Sequence, residues 1–200
     1  MGRRIILPGD QRPEVDGEEV SEDVYRVRRY LRGVPEGQGE LVYASALPQE
    51  SNLDLMGGVD FRKGCYVGQE LTIRTRHTGV VRKRILPIML YGVDEPMPTS
   101  LEYDPTKEYG VERIPRETGV APWMKRGRSA GKFLTGVGNI GLGLCRLDNM
   151  AGVSVGGEPA KAYEEGDEFK MEWQVEGLQP EKVKVKAFVP WEEGHLGGKQ

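Results

Sequence analysis

Short strand-like runs separated by glycine turns fill the second half of the chain, and this pattern restricts the fold more than any other feature. The runs lie at 80–92, 131–150, 160–177 and 183–190, and they are rich in β-branched and aliphatic residues. Glycine supplies 28 of the 200 residues, which indicates many turns. Several short strands joined by glycine-containing turns predict a small antiparallel barrel or sandwich.

The first part of the chain contains one clear helix signal. Ser21 offers an N-cap, and Val24, Val27 and Leu31 follow at helical spacing until Gly33 ends the pattern. The arginines beside this apolar line are predicted to lie on a solvated face of the helix rather than at an anion site: Arg26, Arg28, Arg29 and Arg32.

These signals divide the chain into two units and a tail. Residues 1–82 are predicted to form a mixed α and β region that opens with a short buried strand at 5–7. Residues 83–191 are predicted to form the β module. Within it, residues 92–130 contain several prolines and show little periodicity, which predicts a long surface loop or insertion. Residues 192–200 are predicted to be disordered.

Composition argues against two classes of partner. The net charge is −3 and aromatic residues make up 8%, so neither a basic surface nor a stacking platform for nucleic acid is expected. No apolar run approaches the roughly 20 residues that span a bilayer, so no membrane partner is expected either. The first residues have the features of neither a signal peptide nor a transit peptide.

One of the two cysteines, Cys65, stands in the stretch KGCYVGQE, residues 63–70. Helical spacing predicts a helix from Tyr66 to Arg76, whose first N–H groups, with Arg62 and Lys63, would favour a thiolate. A structural cysteine packed at a turn is the equally open alternative. Glu70 is predicted to stabilise the first turn of that helix, with a role as polar ligand or general acid–base as the alternative.

Counting ligands constrains any metal chemistry at Cys65. Iron–sulfur clusters and zinc sites usually take four protein donors. His77 is predicted to be a surface or helix-end residue, and Cys145, inside a strand-like run, is predicted to fill the core. A cluster at Cys65 would therefore need ligands from a partner chain. The glycines of 136–141 have dinucleotide-loop spacing, but strand-like sequence flanks them, so no nucleotide site is expected there.

Residues 46–87, which contain K-G-C-Y-x-G-Q-E, are similar to the YgfZ/GcvT-related folate-binding family. The extension ELTIRTRHTGVVRKR most resembles its mitochondrial branch, the Iba-type iron–sulfur cluster assembly factors. The resemblance continues through YRVRRYLRGVPEG at 25–37 and GKFLTGVGNIGLGLCRLD at 131–148 to VKAFVP at 185–190.

The resemblance implies an α+β fold, with part of an aminomethyltransferase-like folate-binding region followed by a small antiparallel β-barrel. It implies a factor that helps A-type scaffold proteins mature four-iron enzymes such as aconitase and lipoate synthase in the mitochondrial matrix. It implies no certain catalytic residue, and a cluster shared between Cys65 and the partner. The motif residues are Lys63, Gly64, Cys65, Tyr66, Gly68, Gln69 and Glu70. Further partner or ligand contacts are expected at Arg74, Arg76 and His77.

The alternative function is a tetrahydrofolate-dependent aminomethyl or one-carbon transferase. The aminomethyltransferase carries an R-x-E-x-G pattern whose glutamate contacts folate, and Leu31 stands at that position in this chain. Leucine cannot accept hydrogen bonds from a pterin. The family normally has about as much sequence again upstream, so the chain is expected to be truncated, without several strands, a transit peptide and some pocket residues. A plain binding module with a structural Cys65 is the third hypothesis.

Overall fold

The structure is a computed structural model in which most of the chain is described. The described residues are 5–60, 62–65, 67–69, 73, 81–124, 129–153, 163–164, 166–174 and 179–191. The predicted disordered tail at 192–200 lies outside them. None of the helices in these ranges combines the length and the apolar character that a membrane crossing requires.

The first regular element is helix α1, Glu22–Tyr30, which confirms the predicted helix. Ser21 caps it by accepting a hydrogen bond from the Asp23 amide at 3.2 Å. Acidic residues in the first turn and basic residues in the last turn complement the helix dipole. Leu31 forms the C-cap, and the chain then runs through turns alone as far as residue 60.

Six antiparallel strands close into a barrel, which confirms the predicted β-barrel. The strands are β1 (Lys83–Tyr91), β2 (Gly119–Pro122), β3 (Gly131–Val137), β4 (Ile140–Arg146), β5 (Phe169–Trp173) and β6 (Glu181–Ala187). Their order around the barrel is β1-β4-β3-β2-β5-β6. The short elements between them are a 3₁₀ turn, Val111–Arg113, and a four-residue helix, Leu147–Met150.

Strand β1 closes the barrel because it pairs along both of its edges. Its first part pairs with β4, from Lys83 opposite Arg146 to Met89 opposite Ile140. Its last part pairs with β6, where Ile88 lies opposite Ala187. The larger of the two apolar clusters fills the barrel, and its fully buried members are Leu86, Ile88, Leu90, Val120, Ala130, Cys145, Met171 and Val185.

Glycine occurs at several positions of β3 and β4 because the two strands lie too close together there for a side chain. A side chain at Gly131 would come within 2.8 Å of the Leu144 carbonyl oxygen. Gly138, at φ +57°, forms the turn between the paired residues Val137 and Ile140. The glycine run at 136–141 is therefore a β-hairpin, as the strand-like flanks indicate, and no nucleotide loop.

The segment 92–130 is not a loop throughout, which corrects the prediction. It contains β2, which pairs with both β3 and β5, and the 3₁₀ turn. Val111, Ile114, Val120 and Ala130 are buried in the barrel core. The sequence GVAP is too short, and too close to prolines, to show the alternation that identifies a strand.

Two further expectations for the first part are wrong. Residues 5–7 form no strand, and Ile6 is 86% exposed, because the described chain offers these residues no neighbouring strand to pair with. Arg29 does not lie on a solvated face: it is 4% exposed, whereas Val24, at the start of the predicted apolar line, is 56% exposed.

Arg29 and Glu40 form a buried ion pair that connects α1 to the turns after it. The two guanidinium Nη atoms donate to the two carboxylate oxygens at 2.6 and 2.7 Å. Tyr30 also donates to Glu40 and lies 3.4 Å from the Thr135 hydroxyl on β3. The hydrogen bond to Glu40 raises the pKa of Arg29, and burial raises the pKa of Tyr30. This network seats α1 against the barrel.

We expect Glu40→Gln to lower the free energy of unfolding by about 3 kcal/mol, because it removes the buried carboxylate that pairs with both Nη atoms of Arg29 and leaves Glu36, partly exposed and 3.3 Å from the Arg29 Nε, as the neighbouring carboxylate. Chemical denaturation followed by circular dichroism measures the change. The matched control is Glu22→Gln, which removes an exposed carboxylate 3.0 Å from Arg26 and should cost less than about 1 kcal/mol. Equal effects of the two substitutions would contradict the assigned role of Glu40.

Candidate functional site

The segment before the cysteine motif is tied to the start of β1 by backbone and amide hydrogen bonds. The Ile85 amide donates to the Glu50 carbonyl at 2.8 Å. Asn52, 1% exposed and at φ +63°, donates through its side chain to the carbonyls of Gly33 and Ile85 at 2.9 and 2.6 Å. Asparagine tolerates this left-handed backbone better than most residues. One side chain therefore joins the end of α1 to the barrel.

Arg84 holds the same segment from the barrel side. Its guanidinium donates to both carboxylate oxygens of Asp54 at 2.8 Å and to the Gln49 carbonyl at 2.6 Å. Its side chain is 3% exposed, and that of Asp54 is 19% exposed. The sequence shows Arg84 only as one of three basic residues at the start of a strand, and nothing in that pattern identifies its partner.

The motif itself begins just beyond this clamped segment. The Arg62 amide donates to the Asp60 carboxylate at 2.8 Å. Lys63, Gly64 and Cys65 are all exposed, and Gln69 is half-buried. The other predicted site residues lie outside the described ones: Tyr66, Glu70, Arg74, Arg76 and His77.

The predicted helix start at Tyr66 is wrong within the described residues. Val67 and Gly68 lie in a turn, and Gly68 has φ +84°, which no α-helical residue adopts. Gln69 and Ile73 are helical. Cys65 therefore does not directly precede the first helical turn, so the reason given for a thiolate from the helix N-terminus does not apply.

Gly64, the motif residue directly before Cys65, does not adopt a left-handed turn conformation. Its φ lies outside the left-handed region, and a Cβ there would contact nothing within 4 Å. The left-handed conformation falls on Gly68 instead. The exposure of Cys65 therefore needs no special backbone at the residue before it.

The two cysteines have opposite environments. Cys65 is exposed, whereas Cys145 is fully buried in the barrel, as predicted, and donates to the Gly143 carbonyl at 3.4 Å. Burial raises the pKa of the Cys145 thiol to about 12. The described residues contain no group of three or more His, Cys, Asp or Glu side chains that could hold a metal ion. Of the two cysteines, Cys65 is therefore the accessible thiol.

The chain has Leu31, and therefore no carboxylate, at the position where the R-x-E-x-G pattern has its glutamate. Leu31 packs against the smaller apolar cluster, which includes Tyr30 and Leu142. Glu40, the buried carboxylate in this part of the chain, already accepts hydrogen bonds from Arg29 and Tyr30. Both oxygens of Glu40 are therefore committed to the α1 contact.

We expect Asp54→Asn to loosen the segment before the motif, because Arg84 would keep a buried charge facing a neutral amide. The free energy of unfolding should fall by about 2 kcal/mol. Backbone amides of Asn52, Leu53 and Gly58, which donate within this segment, should exchange hydrogen faster.

Glu117→Gln is the matched control for that measurement, since Glu117 accepts from Lys132 at 2.7 Å on the exposed side of the barrel. It should leave exchange in the segment unchanged. The Leu90 amide, which donates to Asn139, should stay protected in both variants. Unaltered exchange after Asp54→Asn would show that Arg84 does not hold the segment.

The folded chain should show one reactive thiol out of two. Titration with a chromophoric disulfide reagent at about pH 8 should modify Cys65 quickly and leave Cys145 unmodified, because the buried thiol is both inaccessible and protonated. Guanidinium chloride should release the second thiol. Cys65→Ser should abolish the fast reaction, and a fast reaction that persists in this variant would contradict the assignment.

Comparison with known proteins shows where the chain belongs. Residues 82–192 match the family model described as the CAF17 C-terminal beta-barrel domain. Relatives named iron–sulfur cluster assembly factor IBA57 homolog, mitochondrial, include one from Pyricularia oryzae, 53% identical over 196 residues, covering 95% of this chain and 50% of the relative. One from Aspergillus oryzae is 50% identical over 211 residues, covering 95% and 46%, respectively. One from Coccidioides immitis is 44% identical over 203 residues, covering 95% and 48%.

The chain spans about half the length of these curated relatives. The match to the barrel family covers all six strands, from Lys83 in β1 to Ala187 in β6. More than half of the chain lies within that match. The chain belongs to the family that carries the CAF17 C-terminal β-barrel domain.

Proposed function

We propose that this chain acts in mitochondrial iron–sulfur cluster assembly, with Cys65 as its working thiol. The observation that carries the proposal is an exposed cysteine in a chain 44–53% identical to proteins named as mitochondrial cluster assembly factors. The match to the Pyricularia oryzae relative covers 95% of this chain. A tetrahydrofolate-dependent transferase is not favoured, because those names give an assembly role and Leu31 replaces the folate carboxylate.

The cluster is the cargo of this activity rather than a resident group. Cys65 supplies one thiolate, and the burial of Cys145 excludes it as a second ligand. The described residues bring no further metal-binding group together. We infer that the remaining ligands come from the protein that donates or receives the cluster, and an A-type scaffold protein of the mitochondrial matrix is the proposed partner.

The role of the surrounding residues is to present the thiol. Arg84 and Asn52 fix the segment 49–54 to the barrel, and Arg29 fixes the turns after α1. The motif follows these fixed segments in the chain, and its residues Lys63, Gly64 and Cys65 are all exposed. A partner can therefore approach the sulfur without opening the barrel.

The basic residues next to the cysteine suit an anionic cargo. Arg62 and Lys63 are exposed on the residues directly before Cys65. Nearby cations attract clusters that carry net negative charge through their thiolate ligands. The proposed further contacts Arg74, Arg76 and His77 would act in the same way on an acidic partner surface.

Anaerobic cluster reconstitution with a purified A-type scaffold protein tests the proposal. The chain and the scaffold together should give a shared cluster, seen in visible absorption and circular dichroism as a signal that differs from the scaffold alone. Cys65→Ser should abolish that difference. The signal depends on the sulfur because serine is a far weaker ligand for iron in such clusters.

Cys145→Ala is the matched control, since it removes the other thiol and keeps Cys65. It should retain the shared signal, with a modest loss of thermal stability from the core cavity. A shared signal that survives Cys65→Ser, with unchanged binding to the scaffold, would overturn the proposal.

A further inference from the structure

Three lysine ammonium groups surround one indole ring on the outside of the barrel. The Nζ atoms of Lys170, Lys182 and Lys184 lie 5.6, 5.4 and 5.0 Å from the centroid of the Trp123 ring. Each distance is within the range of a cation–π contact. We call Trp123 and these three lysines the basic patch.

The sheet places these residues together. On β6, Val183 and Val185 point into the core, so the alternating Lys182 and Lys184 point outward. Lys170 on β5 lies directly opposite Lys184. Trp123 extends β2 beside β5, where its amide donates to the Glu168 carbonyl at 2.8 Å.

The register puts like charges face to face. Lysines directly opposite each other on neighbouring antiparallel strands repel and destabilise a sheet. Glu168 partly offsets this repulsion by accepting from Lys184 at 2.9 Å, and Glu172 accepts from Lys170 at 3.2 Å. The barrel therefore retains a local concentration of positive charge at a cost in stability.

One positive charge of the patch is left over. Within the described part of the chain, Lys182 forms no ion pair, so three ammonium groups face two carboxylates. Lys184 is 7% exposed beneath the ring, whereas Lys182 is exposed and Trp123 and Lys170 are half-buried. The accessible surface is thus an indole edge flanked by two ammonium groups.

The patch differs from the surroundings of other lysines on the barrel. Lys132 pairs with Glu117 and Lys107 with Glu95, whereas Lys186 lies 5.4 Å from the centroid of a single ring, that of Phe188. The chain as a whole has a net charge of −3. A surplus of cations around an aromatic ring is therefore a local property of this face rather than a consequence of composition.

We propose that the basic patch binds an acidic segment of a partner protein. Glu172 and Glu168 already accept hydrogen bonds from Lys170 and Lys184, which shows that lysines of the patch donate to carboxylates. The indole edge and the lysine methylene stems supply apolar contact beside the charges. The inference does not depend on the thiol of Cys65.

The size of the patch favours a peptide over other polyanions. Nucleic-acid binding through phosphates usually engages six to ten contacts along a strand, and anionic membranes are bound by clusters of roughly four to eight basic residues. Here three ammonium groups and two fixed carboxylates leave a surplus of one positive charge, which is too small to hold a run of phosphates. One carboxylate of an acidic segment matches this surplus.

Fluorescence anisotropy with a labelled hexaglutamate peptide tests the proposal on the full chain. The peptide should bind saturably at an ionic strength of about 20 mM and weaken at about 300 mM, as expected for exposed charges. Lys170→Gln combined with Lys182→Gln should weaken binding at least about fivefold. Lys182→Gln alone should also weaken it, by about twofold or more.

Lys132→Gln is the matched control, because it removes an exposed barrel lysine outside the patch and should leave peptide affinity unchanged. Circular dichroism establishes that each variant is folded. Absence of saturable binding, or equal losses from Lys132→Gln and Lys182→Gln, would overturn the proposal. Tighter binding of a single-stranded oligonucleotide or of phosphatidylserine vesicles, lost with the same lysines, would overturn it in favour of another polyanion.

Discussion

Arg84 is the point at which the barrel holds the chain that precedes it. It lies on β1, the strand that pairs with both β4 and β6 and so closes the barrel. A buried guanidinium is costly unless hydrogen bonds replace its lost hydration, and here Asp54 and the Gln49 carbonyl supply them. The barrel wall at Arg84 is therefore complete only when the segment 49–54 covers it. Through this dependence, the barrel and the segment 49–54 form one structural unit.

Between α1 and β1, hydrogen bonds from side chains fix the backbone in place of a regular helix or strand. Residues 31–60 form turns alone, so their backbone groups lack the ladder of a helix or a sheet. Arg29 donates to the Val34 carbonyl, Asn52 to the carbonyls of Gly33 and Ile85, and Arg84 to that of Gln49. Each of these three polar side chains is at least nine-tenths buried. Their N–H groups donate to carbonyls of irregular backbone, which explains why these side chains occur where that backbone must be fixed. The Arg29 Nε, Asn52 Oδ1 and Arg84 Nε atoms form no hydrogen bond among the described residues.

Prediction from the sequence succeeds where a local pattern determines the structure. β1, β3, β4 and β6 follow from aliphatic alternation and glycine turns, and α1 follows from its Ser21 cap. Prediction from the sequence fails where the position of a residue depends on partners that are distant in the sequence. The burial of Arg29 depends on Glu40, eleven residues on, and β2 is recognised as a strand only through its neighbours β3 and β5. The sequence leaves the environment of Cys65 open, and the structure shows it exposed, while the helix expected to favour its thiolate begins later, because Gly68 adopts a left-handed backbone.

The contrast between the two cysteines shows how one fold separates a reactive thiol from an inert one. Cys145 belongs to β4, where both the strand pairing and the core exclude solvent and raise its thiol pKa. Cys65 is exposed, beside two exposed basic residues. Its sulfur is reachable from outside, which a position in the barrel interior would prevent. Buried arginines fix the segment 49–54 and the turns after α1 to the barrel, and the exposed thiol follows these fixed segments in the chain.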